Sequence, residues 1–163
     1  MPTKSLEALE AMVGETTRTV EDLRIEPGKV EEFARAITDD DPVYRDRGVA
    51  EDRGLDDVPA PLTFTRTADF PRHRPSTFDG KFGFGLGFDP TTTLHGEQAY
   101  EFHRPAQAGD VLAATATLLE VYQREGARGG EMTFAVIEET YTDERGEPVV
   151  TVQSTYIETG GGR

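Results

Sequence analysis

Four segments in the second half of the chain alternate apolar and polar positions: Thr91 to Arg104, Val111 to Arg124, Glu131 to Asp143 and Pro148 to Thr159. They are rich in Thr, Val, Tyr and Phe, residues that suit a pleated, half-buried surface, and they read as strands. Glu125-Gly126-Ala127-Arg128-Gly129-Gly130 and Asp143-Glu144-Arg145-Gly146-Glu147 supply turn residues between them. The last three strands are therefore expected to form an antiparallel meander.

The first half has a helical period instead. Leu6, Leu9, Met12 and Val13 recur at helical spacing, with Ser5 placed to cap the start and Gly14 to stop the run. Thr17 to Ile25 alternates weakly and reads as a first strand. Pro27 opens a second helix through Val30, Phe33, Ala34 and Ile37, which cannot pass Pro42. Arg47 to Pro61 is polar and irregular, and Thr63 to Ala68 fits a short central helix or a turn. Phe78 to Phe88 alternates glycine with phenylalanine, a pattern of close backbone approach or a flap and not of a regular element. Helices followed by a run of strands point to an α+β fold. No repeat or linker divides the chain, so residues 1–159 are expected to form one domain, with Gly160 to Arg163 a disordered tail.

Composition narrows the chemistry. With 163 residues the chain can bury a real core. It has no cysteine, which excludes disulfides, thiolate metal sites and cysteine nucleophiles. No apolar run approaches a membrane span and the N-terminus lacks a signal-peptide core, so a cytoplasmic protein is expected. Asp and Glu number 31 against 17 Lys and Arg, a net charge of −14, with lysine only at positions 4, 29 and 81. Such a surface repels nucleic acid and anionic lipid. It suits a salt-loving cytoplasm, where concentrated salt screens the self-repulsion, or a genome in which arginine replaces lysine.

Thr38-Asp39-Asp40-Asp41-Pro42-Val43-Tyr44, with Ala50 downstream, resembles the signature of the (R)-specific enoyl-CoA hydratases, or MaoC-like dehydratases. That pattern runs Gly-Asp-x-Asn-Pro-(Leu/Ile)-His, then an alanine. Aligned on Pro42, the catalytic aspartate falls on Asp39, the asparagine on Asp41 and the catalytic histidine on Tyr44. Two further blocks follow in family order. Val58-Pro59-Ala60-Pro61-Leu62-Thr63-Phe64 resembles the stretch that opens the family's central helix. Leu94-His95-Gly96-Glu97-Gln98-Ala99-Tyr100 through His103-Arg104-Pro105, then Gly109-Asp110, is similar to the strand and turn of N-terminal-type domains. The resemblance implies a hot-dog fold, a curved antiparallel sheet wrapped around a central helix that begins near Pro61 to Phe64. It implies pairing with a second hot dog, as a homodimer or a heterodimer with a related subunit.

In that family an Asp/His pair holds and deprotonates the water that adds to C3 of an enoyl thioester, and a backbone N–H polarises the carbonyl. A tyrosine with an ordinary pKa near 10 is poorly suited to the base role. The resemblance therefore implies a substrate-binding half of a hydratase or dehydratase whose partner carries the intact pair. Asp39 and Tyr44 are the candidate catalytic residues, and Pro61, Thr63, His95, Gly96 and Glu97 the candidate substrate-binding ones. No cofactor or metal is expected beyond the CoA or acyl-carrier-protein thioester itself. His95 and His103 lie eight residues apart on one predicted strand, hence on one side, with Cα atoms about 26 Å apart, too far for a shared metal. His73, in Arg72-His73-Arg74, is a candidate for a basic patch facing a CoA phosphate, or only a loop cluster. Two alternatives stay open: a hot-dog acyl-CoA thioesterase using Asp39 or Glu97, and a non-catalytic acyl-thioester-binding protein.

Overall fold

The computed structural model describes residues 2–80, 82–126 and 130–160. Five strands form one antiparallel sheet: β1 (Thr16–Arg24), β2 (Thr93–Phe102), β3 (Val111–Gly126), β4 (Gly130–Thr142) and β5 (Pro148–Thr159), in the order β1-β3-β4-β5-β2. The expected meander is β3-β4-β5, and all five strands lie within two residues of their predicted bounds. The tip of the β3–β4 turn lies outside the described residues, as do Gly161 to Arg163. Gly160 still donates to the Glu131 carbonyl at 2.9 Å, extending the ladder by one bond.

On β5 alternation assigns the faces. Val150, Val152, Ser154, Tyr156 and Glu158 share the inner face, and Thr151, Gln153, Thr155 and Ile157 the outer one. Two apolar clusters cover the inner face. In one, Phe64 and Ala68 pack with Leu23, Val30, Leu112, Val149 and Val150. In the other, Leu9, Phe84 and Leu86 pack on Ala116, Leu118, Ala135 and Ile137. Leu112 and Leu118 are fully buried, and each contributes about 1.5–3 kcal/mol on leaving water.

α1 (Leu6–Glu10) is capped as read, the Ser5 hydroxyl accepting from Ala8 N–H, and Gly14 takes a φ of +91°. α2 (Pro27–Ala36) starts on its proline. Two segments differ from expectation. Arg47–Asp52 forms α3, in the stretch read as irregular; Asp46 caps it through Val49 N–H, Arg47 pairs with Glu51 across one turn, and Ala50 is fully buried. The expected central helix begins at Phe64 but is a 3₁₀ helix, Phe64–Asp69, followed by a second 3₁₀ turn, Pro71–His73. Thr65 and Thr67 weaken helix formation, Thr63 makes no side-chain cap, and Pro71 holds Phe70 extended. The Gly-Phe stretch has no regular element and does approach closely: a Cβ on Gly83 would stand 3.0 Å from Thr17 and 3.1 Å from Thr19.

Candidate functional site

The Asp39 loop begins where α2 runs out. Ile37 ends the helix and Thr38 adopts φ +60°, a left-handed conformation that disfavours a β-branched residue and that glycine adopts freely. Thr38 stands where the family pattern has glycine. The turn directs Asp39 N–H to the Ala34 carbonyl at 2.9 Å. Its carboxylate accepts from Asp41 N–H at 3.1 Å, and Asp41 accepts from Val43 N–H at 2.9 Å and pairs with Arg53 at 2.8 Å. The Arg53 bond and the Val43 N–H hold Asp41 below the usual carboxylate range. These bonds wind Pro42–Tyr44 into a 3₁₀ turn that sets Tyr44 beside Asp39. Desolvation, then the charges of Asp39 and Asp41, push the Tyr44 phenol above its ordinary pKa. At neutral pH it is a hydrogen-bond donor.

Tyr44 also faces an apolar groove of about 460 Å³ shared with Pro61, Phe64, Phe102, His103 and Val150. Ala60 N–H bonds Ala106 and Ala108 N–H bonds Val58, at 2.7 and 2.8 Å, so the proline-rich segment is strapped to the loop after β2. That loop is fixed in turn. Arg104 grips Asp110 through two bonds of 2.8 and 3.1 Å and reaches Asp143 at 3.3 Å. The His-Arg-Pro and Gly-Asp blocks are thus two ends of one clamp. Pro61 belongs to the groove. Thr63 is exposed, at the cap position of the 3₁₀ turn, and does not line it.

His95, Gly96 and Glu97 lie toward the other end of β2, about 17–23 Å along the strand from Phe102. The fold does not bring them to Asp39 within one chain. Here β2 is bulged: His95 pairs with Tyr156 but Glu97 with Thr155, leaving Gly96 unopposed. A bulge inverts the alternation. His95 therefore lies on the inner side, its ring stacked 5.2 Å from Tyr156, while Glu97 is on the outer side. The expected shared face of His95 and His103 fails for the same reason, since His103 reaches outer-face Thr151 at 3.0 Å. A Cβ on Gly96 would stand 2.5 Å from the end of the Ile157 side chain, which would have to shift to admit it. His73 adjoins Lys29 and Arg72 but adds no charge of its own. Only 3% exposed, it takes a 3.2 Å bond to the Asp22 carbonyl, and desolvation lowers its pKa, keeping it neutral.

A second polar cluster escaped the sequence reading. Between the 3₁₀ helix and the inner face of the sheet, a small chamber of about 50 Å³ is lined by Thr19, Arg66, Glu139, Tyr141, Ser154 and Tyr156 among others, with the Arg66 side chain 41% exposed at its mouth. Thr19 and Tyr141 both donate to the Glu139 carboxylate, Tyr141 at 2.8 Å, and Arg66 pairs with Asp69. Desolvation raises the Glu139 pKa against those hydrogen bonds, and holds the Tyr141 phenol well above 10. The available signal was phase. Thr133, Ala135, Ile137, Glu139 and Tyr141 share one parity on β4, so a carboxylate occupies a core position.

The model of the FAS1-like dehydratase domain region matches residues 11–152. A UPF0336 protein of Saccharopolyspora erythraea is 35% identical over 81% of this chain and 79% of its own length. Among solved structures, the C-terminally truncated HadBC (3R-hydroxyacyl-ACP dehydratase) complex of Mycobacterium tuberculosis is 26% identical, with a TM-score of 0.67 over 90% of this chain and 96% of the other. A MaoC-like dehydratase is 33% identical with a TM-score of 0.71 over 92% of this chain, which spans 43% of that longer one. The sheet order, the 3₁₀ segment against its inner face and the Asp39 loop thus form a hot-dog fold, and the chain belongs to the FAS1-like dehydratase-region family.

Proposed function

We propose that this chain is the substrate-binding half of an (R)-specific enoyl-thioester hydratase, or 3-hydroxyacyl-thioester dehydratase, completed by a second hot-dog subunit that carries an intact Asp/His pair. The observation that carries this reading is Tyr44. It occupies the histidine position beside Asp39 and faces the apolar groove, yet its phenol stays protonated at neutral pH. The Asp39 carboxylate accepts from Asp41 N–H and stands beside the Tyr44 phenol, a donor and not a base. A groove that positions a thioester without a base is what a binding half requires. The exposed edge strand β2, with Leu94 57% and Phe102 42% exposed, supports a protein partner, and the HadBC structure is itself that of a dehydratase complex.

Crotonyl-CoA hydration tests this. The purified chain is expected to turn over weakly or not at all, and general acid–base catalysis is worth about 10²–10⁴-fold. Tyr44→His should recover part of that factor, Asp39→Asn should remove any residue of activity, and mixing with a subunit carrying the intact motif should restore turnover to the unaltered chain. Robust hydration by the isolated wild type, indifferent to Asp39→Asn, would overturn the assignment.

A further inference from the structure

The apolar groove and the polar chamber lie end to end along the inner face of β5. Val150 lines the groove, and Ser154 and Tyr156 line the chamber, four and six residues on, or about 14–20 Å. The 3₁₀ helix spans the same interval, with Phe64 and Thr65 on the groove, Arg66 and Ala68 on the chamber. Tyr100, paired with Val152 on the neighbouring strand, lies level with the interval between Val150 and Ser154. Its hydroxyl is buried, with Thr65 and Arg66 as polar neighbours.

The chamber's lining is unusual for a space that would accept an alkyl chain. Glu139 accepts from Thr19 and Tyr141 and keeps acceptor capacity, since a carboxylate offers about four lone-pair sites. Arg66 and Ser154 both lie near the Tyr156 hydroxyl, and Asp69 balances Arg66. The Tyr156 ring has aromatic neighbours in Phe82, with centroids 3.9 Å apart, and His95, at 5.2 Å. A methyl terminus placed here would displace solvent without replacing its hydrogen bonds, and that loses affinity. A hydroxyl or carbonyl would find a donor in Arg66 and an acceptor in Glu139.

Resting on the substrate-binding reading above, we propose that groove and chamber are one channel gated by Tyr100, and that the chamber selects acyl thioesters whose distal end carries a hydrogen-bonding oxygen over plain alkyl ones. Arg66, Glu139 and Tyr156 are the specificity-determining residues. His95, remote from Asp39, then contributes to the far end of the ligand and not to the reacting carbons.

Calorimetric titration of the full chain with butanoyl-, octanoyl- and dodecanoyl-CoA, each beside its ω-hydroxy counterpart, tests this. The expected result is a preference for the ω-hydroxy member of about tenfold at one of the longer lengths and none at four carbons. Arg66→Met and Tyr156→Phe should each reduce it to threefold or less, with butanoyl-CoA affinity unchanged. A photoreactive diazirine at the acyl terminus should label Phe82, Ile137 or Tyr156. Binding of all thioesters with no preference, or a preference that both variants retain, overturns the chamber's role and leaves the binding-half reading standing. Failure to bind any thioester overturns that reading and this inference together.

Discussion

Among the described residues two carboxylate–phenol pairs stand out, Asp39 with Tyr44 and Glu139 with Tyr141, and they behave differently because of where the backbone holds them. The first sits on a loop, half exposed, its carboxylate oriented by Asp41 N–H and its phenol open to a groove. The second sits on β4, two residues apart on one face of a strand, with Tyr141 only 3% exposed. There the low dielectric raises both acids, and desolvation is the leading cause for each. The same two functional groups thus face a groove in one place and belong to the interior in the other. Chemical identity sets the menu, and burial and backbone rigidity select from it.

The sharpest way to break this comparison is deletion of each carboxylate. Glu139→Ala leaves the Tyr141 hydroxyl buried without its acceptor and removes the Thr19 bond, so a loss of about 2–4 kcal/mol in urea unfolding is expected. Asp39→Ala should cost about 1 kcal/mol or less, its bonds being partly solvent-exposed. Equal costs would mean that the two environments do not differ as described.

Charge gives a smaller, pH-dependent effect. Because burial raises the Glu139 pKa, the folded state binds the proton more tightly than the unfolded chain. The stabilisation from that proton is complete below the ordinary glutamate pKa of about 4.3 and is lost as pH rises through the folded value. Glu139→Gln should therefore flatten the decline in stability above about pH 4.3, while keeping an acceptor for Tyr141 as the Thr19 hydroxyl rotates to accept from the amide. Melting temperatures of both proteins across pH 4 to 8 measure this. A constant difference between them would contradict the raised pKa.

The smallest effect lies in the loop. Thr38→Gly relieves a left-handed β-branched residue, worth about 1–2 kcal/mol, against about 0.5–1 kcal/mol of added chain entropy. A net gain of about 0.5 kcal/mol in chemical denaturation is expected, with crotonyl-CoA binding unaltered. A loss of stability would show that the Thr38 hydroxyl bond to the Ile37 carbonyl, 2.7 Å long, outweighs the strain.

The strands and the first two helices were legible because their signals are local. Alternation marks a half-buried strand wherever it lies, and Ser5, Gly14 and Pro27 act on their own turns. The Asp39 loop was readable as a motif of contiguous residues. The central helix was legible in place but not in kind: the segment starts at Phe64 as expected, and the local effects of Thr65, Thr67 and Pro71 leave it 3₁₀. Other features depended on residues far apart in the chain. The bulge at Gly96 arises from pairing with Thr155 and Tyr156, and it puts His95 and Glu97 on opposite faces. The Arg104 clamp spans Asp110 and Asp143, and the chamber draws Thr19, Arg66, Glu139 and Tyr156 from four separate segments. Propensity and capping act over one turn or one strand, so they show in the residues themselves. Register, burial and the pKa shifts that follow arise only when distant strands meet, and the tertiary structure alone could decide them.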